Sequence, residues 1–440
     1  MFDNIFVMKL FIRRLSIVLA VLLSVSLLDG CVYVQKSLPA GTLYAQQYYN
    51  EDPAFSFTEV IDAAKPVTKE RLLKYYDLTY EERLLYDQIA AGIGNFELRI
   101  PVDFNIQNDE DAETLRKVST VVFSSYPDPF WWTAGCSYTI NGSPSGDGKY
   151  SILPVYYVDG KKLCALFDDR NEIIYPSNKD IAAAKLWIAE GKSAIRDRLS
   201  SLPVHGGMSP IELEMAVYAW MRDNVVYERS RDDDSSFQFK NTYGAIINGR
   251  ADCVGYSHAF QYIMGLLGIE CVQVLGLLHD GSSIANAGEG HAWNAVRLDG
   301  EWYHLDVTND SYYSLIDGLS SHYYFNRTDR FMADNGYTRG GGGPEAHHLK
   351  IDISCTETKY NYYAMTDSYL ASDSDFYSKV PARLSQALEN GERVFDMELD
   401  PSYAEVIDLE VNCRRVASDI TGGFMTYYSK YKNVFFCVFK

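Results

Sequence analysis

Apolar residues recur at two different spacings in the middle of this chain, and the switch between them places its main elements. In CVGYSHAFQYIMGLLG, residues 253–268, the apolar positions Tyr256, Phe260, Ile263, Met264 and Leu267 follow helical spacing, and Gly268 supplies a stop. The run Asn248-Gly249-Arg250-Ala251-Asp252 before it is turn-forming, with Asp252 as N-cap. Cys253 therefore falls in the first turn of a helix that buries one face. HAWNAVRLDGEWYHLDVT, residues 291–308, then reads as a hairpin whose two-residue turn is Asp299-Gly300. With that turn, Leu298 pairs with Glu301, and Trp293 comes to lie opposite Asp306. Asp306 is then the diagonal neighbour of His291 on one face, about 7–8 Å away at the backbone. A three-residue loop would shift the register by one and put the two side chains on opposite faces.

Other elements follow from the same patterns. Leu15–Leu28 is an apolar run of 14 residues behind Lys9, Arg13 and Arg14. That is shorter than the roughly 20 residues a bilayer span needs, and it fits the apolar core of a signal peptide. The run ends Leu28-Asp29-Gly30-Cys31, which resembles a bacterial lipoprotein cleavage site, with Cys31 as the lipid-bearing residue and a membrane lipid anchor as the implied location. Residues 1–30 are thus expected to be a signal peptide and 31–69 a tether. Residues 70–203 form an α+β domain. Its first helix is capped by Thr79 with Glu82 three residues on, and short strands are joined at Asn141-Gly142 and Asp159-Gly160. A catalytic domain is expected over 204–350. A C-terminal α+β domain over 351–440 carries a helix Pro381–Asn390 and strands at Val394–Leu399 and Val434–Phe439.

At 440 residues and 47% hydrophobic the chain can bury two or three cores. The net charge of −19, with no dense Lys/Arg cluster, excludes nucleic acid as a natural partner. The adjacent His347 and His348 with Cys355 invite a metal reading, but no Cys-x-x-Cys is present and neighbouring loop histidines seldom aim at one ion, so no metal is expected. Apart from Cys31 and Cys253, six scattered cysteines name no disulfide connectivity.

The chemistry concentrates at Cys253, His291 and Asp306. A helix start favours an anion, hence thiolate, whereas Asp252 beside it works against one, so Cys253 needs a basic partner. An imidazole oriented by a carboxylate supplies it, giving the nucleophile–base–orienter set of covalent acyl transfer, which needs no cofactor. Tyr243 is a candidate oxyanion donor together with the Cys253 backbone N–H, beside a plain packing role. Trp293 reads as a packing residue that shields the His–Asp pair, and His304 as neighbouring structure.

YGAIINGRADCVGYSHAFQYIMGLLGI followed by GHAWNAVRLDGEWYHLDVT resembles the core of the transglutaminase-like superfamily of papain-related cysteine enzymes. The family's Cys, His and Asp fall on Cys253, His291 and Asp306. The resemblance implies an α+β fold in which a helix bearing Cys packs on an antiparallel sheet bearing His and Asp, flanked here by smaller α+β domains. It implies peptidase or acyl-transfer chemistry on a peptide or protein substrate. By location only, that substrate is cell-wall peptide or surface protein. The rival reading is a binding module whose triad is a relic.

Overall fold

The computed structural model describes residues 57–104, 108–125, 130–133, 139–141, 150–167, 173–228, 234–279, 289–311, 321–340, 350–389, 392, 394–419 and 425–439. The expected signal segment, Cys31, Cys136, His347 and His348 lie outside the described residues.

The central element is the helix Cys253–Leu266, which runs all but enclosed: Tyr256, Phe260, Ile263 and Met264 are buried. It packs on a four-stranded antiparallel sheet ordered Glu301–Leu305, Glu289–Leu298, Cys271–Leu278, Tyr337–Arg339. The helix ends as its sequence predicts, with Gly268 in the left-handed region at φ +79°. Polar side chains tie helix to sheet. Asn294 donates to the Ser257 carbonyl at 3.0 Å, and Gln273 donates to the Ser257 hydroxyl at 2.8 Å. A short 3-10 helix, Asp234–Phe239, runs so close behind the first turn that a Cβ on Gly255 would lie 2.3 Å from the Phe239 carbonyl oxygen.

The hairpin takes the register predicted from its turn: Leu298 pairs with Glu301 and Asn294 with Leu305. Asp299 and Gly300 have φ of +51° and +94°, the double positive-φ geometry that suits a right-twisted two-residue hairpin. The second strand stops at Leu305, one residue short of Asp306. Asp306 instead heads the helical residues 307–311, its Oδ1 accepting from the Asn309 N–H at 3.0 Å.

N-terminal to this core, the Thr79 capping box forms with Glu82 at the head of the helix Tyr80–Gly94. Helices Phe57–Ala63, Lys69–Leu73, Asp109–Ser125 and Asn178–Leu199 and several two- to four-residue strands belong to this part. The first lies within the expected tether, yet Phe57 and Val60 are buried in the core, so residues 57–69 are folded rather than a tether. Their apolar residues join one continuous core with those of the Cys253 helix and its sheet.

C-terminally, a sheet ordered Tyr369–Leu370, Val394–Leu399, Val434–Phe439, Met425–Tyr431 carries the helix Asp373–Glu389. The sequence places that helix start at Pro381, the usual N1 residue. The structure starts it eight residues earlier with Pro381 inside. Phe376, Val380, Leu384 and Ala387 form one buried stripe across the proline, and that burial outweighs the lost backbone bond. The strand Val394–Leu399 is buried on both faces. Phe395, Met397 and Leu399 enter a small second core, while Val394 enters the main one. On that same face Asp396 accepts from His322 and Tyr363, and Glu398 takes Arg327 in a two-pronged pair at 3.0 and 3.1 Å.

Candidate active site

Cys253 occupies the first position of its helix and is half-buried. The Asp252 carboxylate caps the helix through the N–H groups of Val254 and Gly255, at 3.0 and 3.1 Å, just past Cys253. His291 is the third residue of the strand Glu289–Leu298 and lies near enough to Cys253 for the thiol to bear on its imidazole. Its Nε2 meets the Asp306 Oδ2 at 2.6 Å, which leaves Nδ1 as the edge for the thiol. His291 and Asp306, which sequence patterning brought to one face, are hydrogen-bonded, and the Cys253 helix start lies beside them.

Burial alone would pull the His291 imidazole down. The buried Asp306 charge, the hydrogen bond to it and the contact with Cys253 outweigh burial and push it up to about 10. Asp306 shows the reverse balance. Burial raises its carboxyl, but His291, the Tyr337 hydroxyl and the Asn309 N–H hold it below its ordinary value. Both shifts favour the charged forms, an imidazolium beside a carboxylate.

Two residues that complete this pair were not singled out from the sequence. The Tyr337 hydroxyl donates to Asp306 Oδ2 at 2.6 Å, and the Asn309 side-chain amide donates to the same oxygen at 3.0 Å. Asn309 carries a weak local signal, since it sits three residues after Asp306 where a helix cap is reciprocated. Tyr337 carries none, because it arrives on a different strand. Trp293 lies nearly parallel to His291, with centroids 6.1 Å apart, and edge-on to Tyr337 at 5.2 Å. Its indole N–H donates to His304 Nδ1 at 3.1 Å, so Trp293 packs behind the pair and His304 holds Trp293.

His304, Asp329 and Cys355 place ligand-type atoms within 4.8 Å of one another. The Arg339 guanidinium sits on Asp329 and 3.1 Å from His304 Nε2, so this cluster already contains its own cation. His258 faces the core, where burial pulls its imidazole down to about 4. Tyr243 lies on the short helix Thr242–Ile246, its ring stacked on Trp131 at 4.8 Å. All six cysteines among the described residues are free thiols.

Residues 200–307 match the family model of the transglutaminase-like superfamily. The chain carries a transglutaminase-like domain. Among curated proteins it is similar to kyphoscoliosis peptidase of Mus musculus, 27% identical over 151 residues, which is 33% of this chain and 22% of the mouse protein. The Homo sapiens kyphoscoliosis peptidase is 26% identical over 139 residues, 30% of this chain and 20% of the human one. The chain thus spans about a fifth of the length of these relatives. Among solved structures, a candidate cysteine protease from Cytophaga hutchinsonii aligns at 13% identity and TM-score 0.24, covering 47% of this chain and 62% of that one. A TGase crystal structure aligns at 13% identity and TM-score 0.27, covering 66% and 68%. At those scores the overlays carry no argument of their own. The transglutaminase-like match ends one residue beyond Asp306, so Asn309 and Tyr337 lie outside it.

Proposed function

We propose that this protein is a cysteine hydrolase or acyltransferase acting on amide bonds, with Cys253, His291 and Asp306 as its catalytic residues. The observation that supports it best is the contact chain from the half-buried thiol at a helix start, through His291, to a carboxylate held by four donors. Cys253 attacks the amide carbonyl as thiolate, and a C–S bond forms as the carbonyl π bond opens to an oxyanion. His291 passes its proton to the leaving nitrogen, the C–N bond breaks, and a thioester remains. Water or an amine then attacks the thioester carbonyl, His291 takes back a proton, and the C–S bond breaks to return the Cys253 thiolate, so hydrolysis and transfer share every step but the last. Asp252 caps the two N–H groups after Cys253 and not that of Cys253 itself, which suits the latter to the oxyanion.

Thiol alkylation tests this reading. Inactivation by iodoacetamide should be faster than that of free cysteine at neutral pH, because the raised His291 imidazolium favours a neighbouring thiolate. A Cys253 that reacts no faster than free cysteine, with a profile rising only through the ordinary thiol range near 8.5, would mark the triad as a relic.

A surface location is the companion proposal, motivated by the short apolar run and the Cys31 context. Cys31→Ala should release the protein from membranes in a fractionation experiment. Unchanged retention would make the apolar segment itself the anchor.

A further inference from the structure

A pocket of about 350 Å³ opens where the N-terminal elements meet the segment leading to Cys253. Five of its lining residues are aromatic: Trp131, Trp187, Tyr157, Phe237 and Tyr243. Trp131 stacks on Tyr243 at 4.8 Å, and Trp187 tilts against both at 4.9 and 5.3 Å. Tyr157 and Phe237 meet at 5.4 Å as a second wall. Asp159 is the one charged residue of the lining, and the others are side-chain amides and a glycine. The carboxylate sits in the turn joining Tyr156–Val158 to Lys161–Leu163, at φ +48°, followed by Gly160 at φ +70°. Among the described residues it makes no ion pair.

Two of the walls stand on elements tied to the Cys253 helix. Phe237 belongs to the 3-10 helix whose last residue, Phe239, accepts a backbone hydrogen bond from Asp252 at 2.9 Å. Asp252 immediately precedes Cys253. The helix bearing Tyr243 packs against the nucleophile helix. Trp131 is pressed onto bare backbone: a Cβ on Gly191 would lie 2.5 Å from its indole.

We propose that this pocket is a substrate subsite for a cationic side chain, the ammonium or guanidinium of a Lys- or Arg-like residue in a peptide processed at Cys253. The proposal rests on the cysteine-enzyme reading above. Aromatic faces carry negative quadrupole charge and attract such a cation, most strongly where it is partly desolvated. Asp159 at the rim adds a formal counter-charge. A phosphate or carboxylate ligand would find no Lys or Arg in the lining. An aliphatic side chain would make no use of Asp159. The net charge of −19 further favours a positive ligand over a negative one.

The test measures binding without turnover, on full-length Cys253→Ala protein, by tryptophan fluorescence. N-acetyl-lysine methylamide is titrated against its uncharged analogue, N-acetyl-norleucine methylamide. The lysine probe should saturate and the norleucine probe should not. Trp187→Ala should weaken the lysine probe by about tenfold or more, the size expected for a desolvated cation–π contact. Asp159→Asn should weaken it severalfold and leave the fold intact, since Asn tolerates the positive φ of that turn. Equal binding of both probes, saturation by N-acetylglucosamine in place of lysine, no saturable binding, or indifference to both variants would each overturn the subsite. Intact lysine binding in a protein that shows no amide turnover would count against the cysteine chemistry and leave the subsite standing.

Discussion

Cys253→Ala is expected to lower amide turnover by a factor on the order of 10⁴ or more while leaving the melting temperature nearly unchanged. The size follows because Cys253 is the thiol beside His291. Burial raises the Cys271 thiol well above its ordinary value and lifts that of Cys413 to about 12, so neither is a nucleophile at neutral pH. Burial lifts Cys355 and Cys437 as well. The small effect on stability follows because Cys253 is half-buried and the helix cap belongs to Asp252. His291→Ala should cost nearly as much in kcat, and the two changes together little more than either alone, because they remove one unit. Kinetics on a chromogenic peptide amide, with thermal melts as control, decide it. Residual turnover within tenfold of wild type would place the nucleophile elsewhere.

Asp306→Asn should reduce kcat by about 10²–10⁴-fold and, unlike Cys253→Ala, also destabilise the fold. The catalytic loss has the familiar source that a neutral amide fixes the wrong imidazole tautomer and leaves the imidazolium unsupported. The stability loss comes from the four donors around the carboxylate. An amide presents an NH₂ group to at least one of them, and a buried unsatisfied donor costs about 1–3 kcal/mol. The pH signs separate the two partners. The carboxyl of Asp306 is depressed, so its contribution is present above about 3.9, the ordinary carboxyl value, and is lost as pH falls through its lower folded value. His291 is raised, so its contribution is complete below roughly 6.5 and is lost as pH rises through about 10. In Asp306→Asn the alkaline limb of activity should therefore retreat from about 10 toward 6.5, because Cys253 alone then opposes burial of the imidazole. A variant of full activity with an unmoved limb would reduce the set to a Cys–His pair.

The parts of this site that were legible in the sequence are the local ones. A two-residue Asp-Gly turn dictates strand register without reference to the rest of the chain, and that register alone brings Asp306 beside His291. The Asp252 cap and the Gly268 stop are likewise decided within one helix. What was hidden depends on distant packing. Tyr337 reaches Asp306 from the edge strand beside Cys271–Leu278, across an intervening loop. Asn294 reads as an ordinary polar strand residue until the Ser257 carbonyl appears opposite it. Pro381 misled because a proline's backbone preference is local, whereas the apolar stripe that overrides it acts through the sheet beneath. The aromatic pocket draws on residues from 131 to 248, and no short window contains it.

The two-faced strand Val394–Leu399 bears on how far this chemistry could be transplanted. Grafting or trimming at the family boundary, residue 307, would sever Asp306 from Asn309 and Tyr337. Cutting later, before the C-terminal sheet, would keep those donors but strand Arg327 in the interior without Glu398, at a cost of about 3–5 kcal/mol. It would also leave His322 and Tyr363 facing the space where Asp396 stood. The segment matched by the family model thus depends for its polar contacts on residues well outside it, and the last strands of the chain are part of its support.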